Sequence, residues 1–181
     1  MANFSIASTP ILADPQRNYL FQVDFTRLPS GVQGDLTELT FRATSCSIPS
    51  RGNGVIEVPF YQMKSAYPGK PNFGDNKFTV TFNEYEDRVV TEFLYSWQER
   101  IFETKTSGAS LFSDKQAMIC PNVEVQLLKF NGGIISTDKK GTVQFKNVWV
   151  ENVQEVALNW NEEGAVQITA DFHFDYWCYK A

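Results

Sequence analysis

Val166-Gln167-Ile168-Thr169-Ala170-Asp171-Phe172-His173-Phe174-Asp175-Tyr176-Trp177 alternates strictly. Val166, Ile168, Ala170, Phe172, Phe174 and Tyr176 fall on one side of an extended chain, and Gln167, Thr169, Asp171, His173 and Asp175 on the other. A period of two over this length predicts a strand with one face in the core and one strongly polar face. Asn161-Glu162-Glu163-Gly164 before it reads as a hairpin loop fed by a strand over 153–160, itself preceded by one over 142–150. Further toward the N-terminus the same period recurs. Tyr19, Phe21, Val23 and Phe25 alternate with polar partners, as do Leu39, Phe41 and Ala43, and Phe78, Val80 and Phe82; 123–130 reads as a strand with two partly apolar faces.

A different period appears once. Val89, Val90, Phe93, Leu94, Trp97 and Ile101 fall at helical spacing and predict one amphipathic helix over about 86–104. Asn83 with Glu86 resembles a capping box, and Asp87 suits the positive end of the helix dipole. Many strands with a single helix predict a mainly β fold, a sandwich or barrel with that helix packed on one side or closing one end.

The segment over 48–76 breaks the pattern. Pro49, Gly52, Gly54, Pro59, Pro68, Gly69, Pro71 and Gly74 punctuate it, yet Val55, Ile56, Val58, Phe60 and Tyr61 are strand-like. Long connections in compact domains are either functional or disordered, and the embedded strand pattern predicts an ordered, hairpin-like arm reaching beyond the domain. Phe4, Ile6, Ile11 and Leu12, in an N-terminal extension over 1–17, form a second apolar stretch in want of a partner surface.

With 181 residues, 43% of them hydrophobic and 14% aromatic, the chain is expected to form a single domain over 1–181 with a full core, not a disordered chain. Its 16 Lys and Arg against 21 Asp and Glu leave a net charge of −5. Residues 148–181 alone carry Glu151, Glu155, Glu162, Glu163, Asp171 and Asp175 against Lys180. That balance argues against tight, sequence-independent binding to nucleic acid or an anionic membrane. No run approaches a membrane span, and the first ten residues lack a secretory pattern, so a soluble chain made in the cytoplasm is expected. Cys46, Cys120 and Cys178, an odd number without paired spacing, fit buried thiols in a reducing compartment; the sharper alternative is that one of them bridges neighbouring copies.

Catalytic patterns are scarce. The single histidine, His173, has Asp171 and Asp175 at two-residue spacing on the same strand face. That trio reads either as an Asp-His-Asp metal or acid–base cluster or, more simply, as the polar side of an alternating strand. No Ser or Cys sits in a nucleophile elbow, and Asn131-Gly132-Gly133 and Tyr67-Pro68-Gly69-Lys70-Pro71 are turn signals without the Lys and Ser/Thr of a phosphate loop. An enzyme is not expected, and no cofactor or metal is called for.

Three segments carry a resemblance. Val55-Ile56-Glu57-Val58-Pro59-Phe60 with Tyr67-Pro68-Gly69-Lys70 and Phe78-Thr79-Val80-Thr81-Phe82-Asn83 is the first. The second is Tyr85-Glu86-Asp87 with Phe93-Leu94-Tyr95-Ser96-Trp97. The third is Phe145-Lys146-Asn147-Val148-Trp149-Val150 with the terminal alternating strand. In this order, over roughly residues 18 to 178, they resemble the tail tube proteins of contractile-tailed bacteriophages, a family related to secretion-system tubes.

The resemblance implies a structural virion protein of the phage tail, assembled in the host cytoplasm. Its copies form hexameric rings that stack into the inner tube and conduct DNA from capsid to host during ejection. It also implies an arm over 48–76 that contacts the adjacent ring, with Arg51, Val55, Ile56, Val58, Phe60, Tyr61, Tyr67 and Lys70 as contact residues. Thr79, Thr81, Thr169 and Asp171 become candidates for the channel wall. The implied partners are other copies of the chain, the tail sheath protein, the tape measure protein, and the baseplate and tail terminator proteins. Double-stranded DNA passes without specific binding, and no membrane is involved. Two alternatives stay open: a tube of a phage-like bacteriocin or secretion system, and a monomeric β-barrel enclosing a small apolar ligand.

Overall fold

A computed structural model describes residues 16–72, 74–105, 108–109, 115–131, 134–156, 158 and 163–180. The apolar N-terminal positions Phe4, Ile6, Ile11 and Leu12, and Asn161 and Glu162 of the expected hairpin loop, lie outside them. In chain order the elements are β1 (Phe21–Phe25), α1 (Leu36–Arg42), β2 (Ala43–Cys46), β3 (Gly52–Phe60), β4 (Met63–Asn72) and β5 (Lys77–Asn83). There follow α2 (Val89–Ile101), β6 (Phe102–Glu103), β7 (Gly108–Ala109), α3 (Lys115–Met118), β8 (Cys120–Asn131), β9 (Ile134–Val153), β10 (Gln167–His173) and β11 (Tyr176–Tyr179).

The alternating segment that decides the fold pairs along two neighbours. β10 runs antiparallel to β5, with Ile168 opposite Phe82, Ala170 opposite Val80 and Phe172 opposite Phe78. It also runs along the second half of β9, with Phe172 opposite Val150 and His173 opposite Trp149. After His173 the chain turns, and β11 continues along the first half of β9, Tyr176 opposite Lys146 and Trp177 opposite Phe145. The alternation therefore ends earlier than the sequence suggests. Phe174 stays buried, but Tyr176 faces solvent and Trp177 takes the inner position.

This turn answers a bend in the 20-residue β9. Asn147 takes a left-handed φ of 56° in mid-strand, a conformation that Asn tolerates better than most residues. Its side-chain amide donates to Asp175 Oδ2 at 2.6 Å. The Asp175 N–H in turn donates to the Lys146 carbonyl at 3.0 Å. Both chains thus turn the corner together. Before it, β9 belongs to a leaf with β1, β8 and β11; after it, to a leaf with β10, β5 and β2. The leaves face each other as a sandwich and do not close into a barrel.

Aromatic rings fill the space between them. Phe78 stacks on Phe145 of the opposite leaf at 4.2 Å between centroids and on Phe172 at 5.3 Å. Val90, Phe93, Leu94 and Trp97 of α2 close the open side, Phe93 meeting Phe25 at 5.4 Å and Trp97 meeting Phe172 at 6.0 Å. Trp97 Nε1 donates to the Met118 carbonyl at 2.7 Å, so the buried indole leaves no polar atom unpaired. The helix predicted over 86–104 is the shorter 89–101. Its cap also differs from the Asn83–Glu86 reading. Arg88 at the cap position offers no side-chain bond, and the Glu84 carboxylate instead accepts from the backbone N–H groups of Val90 and Thr91 and from the Thr91 hydroxyl.

Two expected strands are not strands. Leu39 to Ala43 is mostly the helix α1. Asp35 caps it by accepting from the Thr37 N–H at 2.8 Å, and Arg42 pairs with Glu38 one turn earlier and with Asp87. Those local bonds outweigh a three-step alternation, and Phe41 is turned out to solvent instead of into the core. Residues 154–156 and 158, expected within a strand over 153–160, carry no strand. β9 pairing ends at Val153, after a bulge opposite Asp171 and Phe172.

The corner at Asn147 generates a test. Asn147→Gly keeps the backbone freedom and removes only the bond to Asp175, a loss of about 1 kcal/mol in urea unfolding. Asn147→Val adds the strain of a β-branched residue at positive φ and should cost about 2–3 kcal/mol. Equal costs for the two variants would show that the corner does not depend on this conformation.

Candidate functional site

Two surfaces answer the sequence-based expectations: an arm and a polar sheet face. Among the described residues β3 and β4 pair only with each other, from Gly52 opposite Asn72 to Phe60 opposite Met63. A two-residue turn joins them, with Tyr61 at a φ of 52° and 95% exposed. The register puts Ile56, Val58, Phe60, Met63 and Tyr67 on one face and Val55, Glu57, Pro59, Lys64 and Pro68 on the other. On the second face Lys64 and Glu57 form an ion pair at 2.8 Å, exposed and worth little by itself.

Of the expected contact residues, Val55, Ile56, Val58, Phe60, Tyr61, Tyr67 and Lys70 all lie exposed on this hairpin. Arg51 stands apart at its root, where the guanidinium carbon lies 6.0 Å from the Trp177 ring centroid. Glycine is required lower in the hairpin. The register shifts between Asn53 and Val55, and a Cβ on Gly69 would stand 2.9 Å from the backbone carbon of Gly54. An isolated two-stranded hairpin with so much apolar area in water is marginal without a partner.

The polar face lies on the outer side of β5 and β10. Asp171 is opposite Thr79, and Thr169 is opposite Thr81, so the four expected wall residues form one contiguous patch. Thr79 Oγ1 donates to Asp171 Oδ1 at 2.7 Å, and the Thr81 and Thr169 hydroxyls are 3.1 Å apart. Gln154 Nε2 donates to the other Asp171 oxygen at 3.4 Å, and Ser47 exchanges hydrogen bonds with Thr79. Gln154 and Ser47 were not foreseen, because nothing in their local sequence says which strand lies beside them.

His173 does not join its neighbouring acids. Its ring stacks on Trp149 at 5.1 Å and 19°, its Nδ1 makes no hydrogen bond, and Asp175 lies beyond the chain turn on Asn147. Among the described residues no three His, Cys, Asp or Glu side chains converge as metal ligands. The three cysteines are free thiols within the chain, and burial pushes the Cys46 thiol up to about 12.

A second polar network, absent from the sequence reading, covers the outer side of the other leaf. Glu124, nearly buried, accepts from Asn122 at 3.0 Å, Gln144 at 2.7 Å and Lys180 at 3.0 Å. Beside it Asp24 accepts from Gln22, Gln126 and Thr40. Burial alone raises the Glu124 pKa, but the bonds from Lys180, Gln144 and Asn122 outweigh it and hold the carboxyl below its ordinary 4.5. The only sequence signal was polar alternation along 122–126 and 142–146, which the apolar Val123, Val125, Leu127 and Leu128 obscured.

Comparisons with known proteins agree with this architecture. A family model described as phage tail tube protein matches residues 9–180. No curated protein matches in sequence. A solved chain from the anti-feeding prophage cap, the AFP tube-terminating cap, superposes with a TM-score of 0.62 at 14% identity, covering 96% of this chain and 95% of that one. A chain of the PVC extracellular contractile injection system sheath–tube complex gives 0.61 at 13% identity, covering 91% and 90%. A chain of the PVC sheath/tube terminator structure gives 0.63 at 13% identity, covering 92% and 97%. At these identities the likeness is one of fold.

Two measurements follow from the geometry. A carboxyl whose folded pKa is lowered stabilises the fold above its unfolded pKa and loses that contribution as pH falls through the folded value. Glu124→Gln should therefore lower stability at pH 7 and flatten its decline below about pH 4.5; an unchanged acid limb in thermal melts would show that this carboxyl is not linked to folding. Gly69→Ala should loosen the arm and speed trypsin cleavage at Lys64, while leaving global stability within about 0.5 kcal/mol. Unaltered cleavage would show that the hairpin tolerates the added Cβ.

Proposed function

The chain belongs to the phage tail tube protein family, whose members are structural and not enzymes, and from that premise we propose that it is the subunit of a phage inner tail tube. Copies close into hexameric rings, the rings stack, and the resulting channel conducts double-stranded DNA from capsid to host. The observation that carries this reading is the arm, an exposed apolar hairpin on a chain matched to the family over nearly its whole length. Ring closure and stacking supply what a lone subunit lacks, since they cover the hairpin and the free edges of β1 and β2. The arm bridges to the adjacent ring.

The outer face of β5 and β10 forms the channel wall. A wall of hydroxyls, amides and a carboxylate guides a polyanion by mild repulsion without binding it, and salt screens that repulsion beyond about 8–10 Å. Partners follow from place in the particle: a tape measure protein and then DNA inside, a sheath outside, baseplate and terminator proteins at the ends. Such a subunit is assembled in the host cytoplasm and ends in the virion tail.

A second reading, a tube of a phage-like bacteriocin or injection system without a genome, draws support from the fold likeness to the prophage cap and to the PVC chains. Purified particles separate the two: nuclease-protected DNA within particles that carry this chain supports the phage reading, and DNA-free particles that contract normally support the other. Negative-stain microscopy of the chain, at high concentration or with baseplates, is expected to show rings and tubes; a compact monomer under every condition overturns both. Asp171→Lys, which puts a cation in the wall, is expected to slow DNA ejection. Unchanged ejection in particles that incorporate the variant removes Asp171 from the channel.

A further inference from the structure

The strand registers fix the end of the molecule from which the arm departs. β2 lies against β5 with Ala43 opposite Phe82 and Cys46 opposite Val80. The arm follows Cys46 and returns just before Lys77, whereas α1 ends at Arg42 and the β5–α2 junction begins after Asn83. The arm and the α1 junction therefore sit at opposite ends of this leaf, roughly 20 Å apart along β5 at about 3.3 Å per residue.

The far end carries two exposed aromatic side chains. Phe41 is 83% exposed and Tyr85 is 58% exposed, although α1 and the junction beneath them are rigidly joined. The join is Arg42, 8% exposed, whose guanidinium donates to Glu38 and Asp87, approaches Glu84 at 3.6 Å and lies 4.9 Å from the Tyr85 ring centroid. A buried cation with three carboxylates around it holds Tyr85 and the helix bearing Phe41 in place, and it leaves their surroundings acidic. The arm has the opposite character. Its apolar face is uncovered, and between Arg51 and Asn72 it carries Arg51, Lys64 and Lys70 against the single acid Glu57.

We infer that the apolar face of one copy's arm docks on Phe41 and Tyr85 of the next copy, with the acidic margin of that patch drawing the basic arm in. The contact joins two different surfaces at opposite ends of identical chains. It is therefore heterologous, and repeated along an axis it builds an open stack instead of closing on itself. Opposite net charge steers the encounter, and desolvation of the aromatic pair supplies the affinity. The inference rests on the tube reading and adds the landing site of the arm.

Phe41→Ser removes the more exposed of the two aromatics and should leave circular dichroism and the melting temperature of the subunit unchanged. It should raise the protein concentration at which tubes appear by about tenfold or more, the loss of one buried aromatic anchor. Phe41→Cys combined in turn with Ile56→Cys, Val58→Cys and Phe60→Cys should give, for at least one pair, a covalent ladder on nonreducing electrophoresis of oxidised tubes, with no ladder from the single variants. Wild-type length and assembly with Phe41→Ser, or tubes of all three pairs that never cross-link, overturn the docking while leaving the tube reading intact. Loss of sheath binding alone from Phe41→Ser tubes also overturns it, by assigning the patch to another partner. A wild-type chain that never stacks overturns the docking and the tube reading together.

Discussion

The bend of β9 at Asn147 is the constraint on which the architecture rests. One strand serves both leaves, so the leaves are not independent layers that must find each other; they are joined by covalent chain at a fixed corner. The stack of Phe78 on Phe145 is possible only because that corner brings residue 145, from before the bend, over a strand that pairs on the far side of β10. β10 and β11 copy the bend, and the Asn147–Asp175 bond locks the two turns into one. With the corner set, one side of the sandwich remains open, and the apolar stripe of α2 is shaped to close it.

How much of this was legible in the sequence depended on the length over which each signal was sustained. Ile168, Ala170 and Phe172 alternate over a long stretch and were placed correctly, as were the four buried positions of α2. Leu39, Phe41 and Ala43 offered too few repeats to outweigh local chemistry. The competing signal was present in Asp35 with Glu38 three residues on, a cap pattern opening a helix, with Leu36 and Leu39 at helical spacing. The end of the inward alternation at Phe174 was not legible, because the turn there is imposed by Asn147, nearly thirty residues earlier.

The surfaces were legible in parts. Pro and Gly punctuation around strand-like residues announced a projecting hairpin, and local pairing is what a sequence records best. The contiguity of Thr79, Thr81, Thr169 and Asp171 followed from alternation once β5 and β10 were neighbours, but neighbourhood is a tertiary fact, and so Ser47 and Gln154 went unseen. Arg42 and Glu124 were missed for the same reason. Each is a charged residue drawn into a buried site by partners distant in sequence, Asp87 and Glu84 for one and Lys180 and Gln144 for the other.

The hydrogen bonding on the outer face of β5 and β10 has a bearing on friction. Thr79, Thr81, Thr169, Asp171, Gln154 and Ser47 direct hydrogen bonds at one another. A polar surface whose donors and acceptors are already engaged stays wetted yet offers few vacant groups for a passing solute to grip. Its roughness is that of short side chains held in fixed positions, and Lys77, the long cation next along the same face of β5, is itself tied to Glu151 at 2.6 Å. In the channel proposed above, a charged polymer would slide along this face over a film of water, with drag set by the film more than by the protein.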